Sequence, residues 1–186
     1  MQKYELTDGG IFFCDESFFS SIISDQYFSE FIGYSSWQQK IGVFGHMQPR
    51  LTAAYGDAGL TYSYSGTQNN ALPWTSTLLE IKQKVEFVSG YYNFCLLNRY
   101  RSGADSVSMH SDNEDGLGPI IATVSLGATR TFNIRHNSTN EKHSFRVSNG
   151  TLIIMAGTMQ EFWKHEIPKT KEIVGERISL TFRHLL

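Results

Sequence analysis

Apolar residues recur at helical spacing in two segments of the first half of the chain. Residues 15–32 begin with Asp15 and Ser17, either of which is a candidate N-terminal cap, and carry apolar side chains at positions 18, 19, 22, 23, 27, 28 and 31. Residues 75–88 follow Pro73 and repeat the pattern on one side, at Leu78, Leu79, Val85 and Val88. The spacing predicts two amphipathic helices before residue 90.

From about residue 91 the period of the pattern changes to two. Short segments rich in β-branched and aromatic residues are separated by Gly, Asn and Asp, and they lie at 91–100, 120–126, 131–136, 151–156 and 177–183. Two helices followed by many short strands predict an α+β domain, in which the helices back a β-sandwich or jelly roll. Neither a low-complexity linker nor an internal repeat divides the chain, so we expect a single domain over residues 1–186.

The composition narrows the class of protein. The chain has 186 residues, of which 40% are hydrophobic and 18% charged, so it can form a core and is not a disordered tail. A net charge of −2 excludes a strongly basic nucleic-acid binder, and any such contact requires a local basic patch. Cys14 and Cys95 make no disulfide framework, and neither a signal peptide nor a membrane span is visible. We therefore expect an intracellular monomer without membrane contact, cytoplasmic in a bacterium or nuclear in a eukaryote.

The segment 177–183 separates its polar and apolar residues strictly. Its odd positions are Arg177, Ser179, Thr181 and Arg183, whereas the even positions are apolar. Because alternate side chains of a strand share a face, two arginines and two hydroxyls project to the same side. Two interpretations remain open at this point: a solvated outer face, or an anion site inside a barrel, since arginine pairs suit a carboxylate.

His110 and Asp112 form a candidate metal-binding pair, because residues two apart on an extended segment point the same way. Such a pair is common by chance and requires a third ligand. His165 follows the apolar strand 151–156, and a facing strand of a jelly roll would bring it opposite His110. Two histidines and one carboxylate leave positions open, as in non-haem Fe(II) oxygenases, whereas zinc more often takes a closed set. A calcium loop is excluded because an apolar strand, not a helix, follows 112–116.

Several motifs in the second half resemble those of one enzyme family. They are N-R-Y at 98–100, H-S-D at 110–112, I-A-T-V-S-L-G-A-T-R at 121–130, W-K-H at 163–165 and R-I-S-L-T-F-R at 177–183. The AlkB-type Fe(II)/2-oxoglutarate-dependent nucleic-acid dealkylases have motifs of this kind in the same order, and the chain resembles this family. Upstream, V-F-G at 43–45, P-R at 49–50, the segment 55–66 and P-W at 73–74 resemble the subgroup that acts on double-stranded DNA. The resemblance implies a double-stranded β-helix at about 91–184, preceded by a nucleotide-recognition region with a lid and a wedge at about 40–90.

The resemblance also implies roles for residues of the catalytic centre. His110, Asp112 and His165 would bind Fe(II), and 2-oxoglutarate and O2 would be co-substrates. Asn98, Tyr100 and Arg177 would hold the distal carboxylate of 2-oxoglutarate. Arg183, with Thr181 nearby, would brace the keto-acid end that binds iron. Many family members have Asn where this chain has Ser179, which puts that one contact in doubt.

The implied substrate contacts lie in the first half and beside the metal pair. Tyr62, Tyr64 and Ser65 match a lid hairpin at the flipped base, where Tyr64 would stack on the base opposite His110. Glu114 matches a residue that reads the exocyclic amine, and Asn113 stands where a second acid occurs in the double-strand-acting subgroup. Phe44 matches a wedge that fills the gap left by the base. Candidate phosphate contacts are Arg50, Lys82, Lys84, Arg99 and Arg101.

The function expected from this resemblance is oxidative demethylation of N-alkylated bases, such as 1-methyladenine and 3-methylcytosine, in alkylated DNA. Demethylation of RNA, or oxidation of another alkylated substrate, is the alternative within the enzyme class. A non-catalytic nucleic-acid-binding module is the alternative outside it.

Overall fold

A computed structural model describes residues 1–42, 45–64 and 67–186, and for Ser63, Tyr64 and Thr67 it describes the backbone alone. The helices are α1 (Ser21–Ile32), α2 (Ser76–Ser89) and α3 (Met159–Phe162). The strands of the first half are β1 (Gln2–Glu5), β2 (Gly10–Asp15), β3 (Leu51–Gly56), β4 (Thr61–Tyr64), β5 (Thr67–Asn70) and β6 (Leu72–Pro73). Those of the second half are β7 (Phe94–Tyr100), β8 (Val107–His110), β9 (Ile121–Gly127), β10 (Arg130–His136), β11 (Lys142–Val147), β12 (Leu152–Gly157), β13 (Trp163–Ile167) and β14 (Arg177–Arg183).

Two sheets face each other across an apolar core. The major sheet has the order β1-β2-β12-β9-β14-β7-β3-β6, and the minor sheet has the order β11-β10-β13-β8. Phe12 and Met155 of the major sheet share one buried cluster with Phe132 and Trp163 of the minor sheet. The far face of the major sheet packs on α1 and α2 through a second cluster. This layering confirms a double-stranded β-helix backed by helices.

Strand β14 shows how the major sheet divides its two faces. Ile178, Leu180 and Phe182 belong to the cluster that packs on the helices. The odd-numbered residues from Arg177 to Arg183 line a cavity between the sheets, and every residue of the strand is buried. The interpretation of this polar face as a solvated outer surface is therefore wrong.

The first half contains more strand than its pattern predicted. Helix α1 begins only at Ser21, because Ser20 rather than Asp15 or Ser17 caps it, and residues 10–15 form β2. Helix α2 begins close to its expected start, with Thr75 accepting the N–H of Leu78 (3.2 Å). Of the four apolar residues expected on the packed side, Leu78 and Val85 are buried, together with Ile81, whereas Leu79 and Val88 are exposed. None of the helices in the described ranges is long and apolar enough to cross a membrane.

Candidate metal and co-substrate site

The pairing of β8 with β13 brings the two predicted histidine ligands together. His110, the last residue of β8, has His165 of β13 as its Cα partner, and their ring centroids are 4.2 Å apart. Asp112 lies just past the end of β8 and is buried. One ligand atom from each of these three residues lies within 4.8 Å of the others. The side chains thus converge as a single metal ion requires.

The environment keeps both imidazoles neutral and the carboxylate ionised, which is the state that binds a metal. Burial lowers the pKa of His110, and burial is also the main cause that lowers the pKa of His165 to about 3. Burial alone would raise the pKa of Asp112, but the guanidinium charge of Arg183 opposes it, and this pKa is lowered to about 2. His110 Nδ1–H donates to the carbonyl of Ser108 (2.7 Å), so its Nε2 is the nitrogen left for a metal.

The Asp112 carboxylate has one oxygen held and one oxygen available. Its Oδ2 accepts a hydrogen bond from Arg183 Nη2 (2.6 Å). Its Oδ1 is buried, lies 3.6 Å from His110 Nε2, and accepts no hydrogen bond from the residues that the structure describes. A buried carboxylate oxygen without a donor is costly unless a cation binds it. The donor set of two imidazoles and one carboxylate therefore fits Fe(II).

The cavity behind the metal ligands contains the residues predicted for 2-oxoglutarate. Its lining includes Asn98, Tyr100, Arg177, Thr181 and Arg183. Arg177 is buried: its Nε donates to Ser125 Oγ (2.9 Å), and its guanidinium carbon lies 5.1 Å from the centroid of the Tyr100 ring. Its Nη1 has no hydrogen-bond partner in the described part of the chain. This guanidinium is thus ready for an anion that enters the cavity.

Arg50 does not occupy the position expected of a phosphate contact. It is only 6% exposed and lines the cavity, where its Nε donates to Asn98 Oδ1 (2.9 Å). Because a buried guanidinium cannot reach a nucleic-acid backbone, that role is not supported. Arg50 instead orients the amide of Asn98. The sequence revealed its charge but not its burial.

The expected lid hairpin is the two-stranded sheet of β4 and β5. Tyr62 is buried, its hydroxyl donates to Glu114 Oε2 (3.0 Å), and the Arg183 guanidinium lies 5.0 Å from its ring centroid. A link to the preceding segment runs through Lys40, whose Nζ donates to Asn69 Oδ1 (2.6 Å). The hairpin and the metal loop are therefore in direct contact.

Some implied substrate contacts cannot be located. Phe44 and Ser65 lie outside the described residues, as does the side chain of Tyr64. Asn113 is exposed beside Asp112. Their roles stay predictions from the sequence.

The remaining candidate phosphate contacts are held by acids. Arg99 binds Glu176 (2.6 and 3.2 Å), and Arg101 binds Asp105 (2.8 and 2.9 Å). Lys82 and Lys84 form ion pairs with acids on the same helix, at 2.8 and 2.9 Å. These four charges are thus paired with acids in the described part of the chain, and their role as phosphate contacts stays a prediction.

A basic row that the sequence did not reveal lies on the outer face of the minor sheet. Arg135 has Lys142 of β11 and Lys164 of β13 as its Cα partners, so three exposed cations lie side by side. None of them forms an ion pair with an acid in residues 1–42, 45–64 or 67–186. The sequence could not show this row, because it depends on the register of three strands.

Comparison with known proteins agrees with this geometry. A family model described as the 2OG-Fe(II) oxygenase superfamily matches residues 16–183. The chain is 38% identical over 160 residues to DNA oxidative demethylase ALKBH2 of Bos taurus, covering 79% of this chain and 58% of that protein. It is 39% identical over 162 residues to human alpha-ketoglutarate-dependent dioxygenase alkB homolog 3, covering 79% of this chain and 56% of that protein. The chain thus spans less than two thirds of the length of either relative.

Two solved structures share the fold. The structure of OsALKBH1 matches with a TM-score of 0.62 and 17% identity over 98% of this chain and 100% of that one. A prolyl hydroxylase from Trichoplax adhaerens, solved with a hypoxia inducible factor peptide, matches with a TM-score of 0.67 and 11% identity. It covers 94% of this chain and 83% of that one. The cofactors expected from the sequence, Fe(II) and 2-oxoglutarate with O2, are those of the matched family. The chain belongs to the 2OG-Fe(II) oxygenase superfamily, and its relatives place it among the AlkB-type members.

Proposed function

We propose that this chain is an Fe(II)- and 2-oxoglutarate-dependent dioxygenase that removes alkyl groups from nucleic-acid bases by oxidation. The observation that carries the proposal is one cavity that is lined both by a three-residue metal set and by an arginine with an unused donor. The similar proteins, named a DNA oxidative demethylase and an alpha-ketoglutarate-dependent dioxygenase, support the same reaction class.

Fe(II), when bound, would supply the oxidising chemistry: 2-oxoglutarate and O2 give succinate and CO2, with one oxygen atom in the succinate and the other inserted into a C–H bond of the alkyl group. The hydroxylated alkyl group then leaves the base nitrogen as an aldehyde, which is formaldehyde when the group is methyl. The protein's part is to bind and to orient. His110, Asp112 and His165 would hold the metal and would leave positions free for the co-substrates. Arg183 fixes the carboxylate of Asp112 through its 2.6 Å bond and, with Thr181, faces the expected keto-acid end.

The distal carboxylate of 2-oxoglutarate is assigned to the Arg177 end of the cavity. Arg177 offers its free Nη1, Tyr100 lies against its guanidinium, and Asn98 is oriented by Arg50. Charge-assisted bonds to a guanidinium are stronger than neutral ones, so a dicarboxylate is favoured over a monocarboxylate. Ser179 lines the same cavity, with a shorter polar group than the Asn expected at this position from the family resemblance.

As substrate we propose N-alkylated bases in DNA, with 1-methyladenine and 3-methylcytosine preferred. A methyl group on the pairing edge weakens pairing, so such a base costs less to flip toward the metal. Glu114, bonded to Tyr62, is beside the metal loop and is assigned to the exocyclic amine. Phe44 is assigned, from its sequence context alone, to the gap that the flipped base leaves.

The basic row of Arg135, Lys142 and Lys164 supports a polyanionic partner. Like charges directly opposite on neighbouring strands repel one another and destabilise the sheet. Phosphate groups relieve that repulsion when they displace the counterions of such a surface. We therefore assign the row to the backbone of the nucleic acid.

The decisive experiment measures succinate and formaldehyde release with methylated oligonucleotides under Fe(II), 2-oxoglutarate and O2. The panel contains single-stranded and duplex DNA and RNA, each with 1-methyladenine or 3-methylcytosine. We expect stoichiometric release of both products with DNA, and none with unmethylated strands. Asp112→Asn is the control that keeps the shape of the site but removes a metal ligand.

The other outcomes separate the alternatives. Turnover of methylated RNA alone would show that the substrate is RNA rather than DNA. Tight binding of methylated DNA by iron-loaded protein without either product would indicate a non-catalytic binding module. Duplex activity that survives Phe44→Ala unchanged would remove the wedge role from that residue.

A further inference from the structure

The metal ligand Asp112 lies where the sheet no longer holds its main chain. Strand β8 ends at His110, and residues 111–114 have no regular secondary structure. The last Cα pair between β8 and β13 at this end is His110 with His165. The amide of Asp112 therefore needs a hydrogen-bond acceptor from elsewhere, because a buried N–H group without one is costly.

Gln160 supplies that acceptor. The Asp112 N–H donates to Gln160 Oε1 at 2.8 Å. The other end of the same amide, Nε2, donates to Met155 Sδ on β12 at 3.6 Å. Because a main-chain N–H can bond only to an acceptor, the contact with Asp112 also decides which end of the side-chain amide faces it.

We propose that Gln160 is a positioning residue for the iron site, acting on Asp112 through its main chain. Gln160 lies on α3, which leads directly into β13 and so to His165. The segment formed by α3 and β13 thus carries one metal ligand, His165, and also holds the main chain of a second ligand, Asp112. Arg183 fixes the carboxylate of Asp112, and Gln160 fixes the backbone from which that carboxylate extends.

The inference rests on the family of the chain and on no particular substrate. Groups that orient metal ligands typically change metal affinity by about 10- to 100-fold when they are removed. Replacing Gln160 leaves all three ligands in place but frees the loop that carries Asp112. The effect should therefore appear in the affinity for the metal alone, before any reaction takes place.

The test compares Gln160→Met with Glu161→Met, its neighbour on the same short helix. Fe(II) affinity is measured without O2 by competition with a chromophoric chelator, and the stability of metal-free protein is measured by urea unfolding. We expect Gln160→Met to weaken Fe(II) binding by about 10- to 100-fold. Glu161→Met should bind Fe(II) as the unmodified protein does.

Gln160→Glu keeps an oxygen that can accept the Asp112 N–H, and its added negative charge favours a cation. Its affinity should therefore be at least that of the unmodified protein. An affinity as weak as that of Gln160→Met would overturn the proposal, as would a Gln160→Met variant that loses only unfolding stability. Equal losses in Gln160→Met and Glu161→Met would also overturn it.

A measurement on the unmodified protein avoids any failure of a variant to fold. Amide hydrogen exchange of Asp112 in the metal-free state should be slow, because its N–H is bonded to Gln160. Exchange at the rate of an exposed loop amide would contradict the contact on which the proposal depends.

Discussion

His110 and His165 face each other as Cα partners on two antiparallel strands, although they are far apart in the chain. Their rings approach to 4.2 Å between centroids, and the carboxylate of Asp112 completes the set just past the strand end. Rigid strands hold the two imidazoles, whereas a loop holds the carboxylate. The three ligands should therefore respond differently to substitution.

Asp112→Ala should remove both metal binding and part of the fold's stability, whereas His110→Ala should remove metal binding alone. Asp112 and Arg183 form a buried ion pair, and loss of one partner typically costs about 3–5 kcal/mol. Urea unfolding of the metal-free variants, together with Fe(II) titration, measures the two effects separately.

A double variant supplies the control. Asp112→Ala combined with Arg183→Met leaves no buried charge unpaired, so it should recover much of the lost stability without recovering metal binding. If Asp112→Ala alone unfolds at the same urea concentration as His110→Ala, the ion pair contributes nothing to stability.

Arg177→Ala should weaken selection for the distal carboxylate of 2-oxoglutarate. A hydrogen bond to a charged group contributes about 1.5–3 kcal/mol, which corresponds to about 10- to 100-fold in kcat/KM. The measurement compares 2-oxoglutarate with 2-oxopentanoate, which has the same chain length but lacks the distal carboxylate. The unmodified protein should prefer 2-oxoglutarate strongly, and the variant should lose most of that preference. An unchanged ratio in Arg177→Ala would move the carboxylate to another residue.

The metal-free protein should lose stability as the pH falls below about 6.5. Burial lowers the pKa of His165 to about 3, so the unfolded chain binds a proton that the folded chain does not. Between about pH 7 and pH 5.5 this one histidine should cost about 1 kcal/mol, and Asp112, with its pKa lowered to about 2, stays ionised throughout. Urea unfolding of His165→Gln should show a smaller loss over this range. Exposed His46 is the matched control: His46→Gln should lose as much as the unmodified protein, and an equal loss in His165→Gln would refute the expectation.

Substitution in the basic row should lower the salt dependence of DNA binding. Each cation that releases a phosphate counterion contributes about 1 to the slope of log K against log salt. Arg135→Ala and Lys164→Ala should each lower the slope by about that amount on duplex DNA. Lys84→Ala is the control variant, because Lys84 is already paired with Glu80, and this substitution should leave the slope unchanged. An equal slope in all three variants would exclude the row as the DNA contact.

Strand β14 shows how much a local pattern can establish. The segment 177–183 was predicted as a strand from its alternation, and the strand occupies these same residues. In contrast, β2 was not predicted, because G-I-F-F-C-D carries apolar residues on both faces and so shows no clear period. Alternation of polar and apolar residues predicts a strand where the two faces of the strand have different surroundings. It fails where both faces are covered by apolar residues.

The candidate site divides in the same way. His110 and Asp112 could be predicted because two ligands lie two residues apart on an extended segment. Gln160 could not, because its contact with Asp112 depends on where a short helix places one amide. Arg50 and Arg99 carry the charge expected of phosphate contacts, but only the folded chain shows that Asn98 and Glu176 engage them.

By itself, the sequence indicated the fold class, the pair of His110 and Asp112, and the polar face of β14, because period and residue type are local properties of a chain. Its motifs implied His165 as the third ligand only through the family resemblance. Tertiary structure decided the rest. It placed His165 opposite His110, turned Arg50 inward, and aligned Arg135 with Lys142 and Lys164 across three strands. Register between strands decides these contacts, and register depends on the packing of the whole sheet rather than on any one segment.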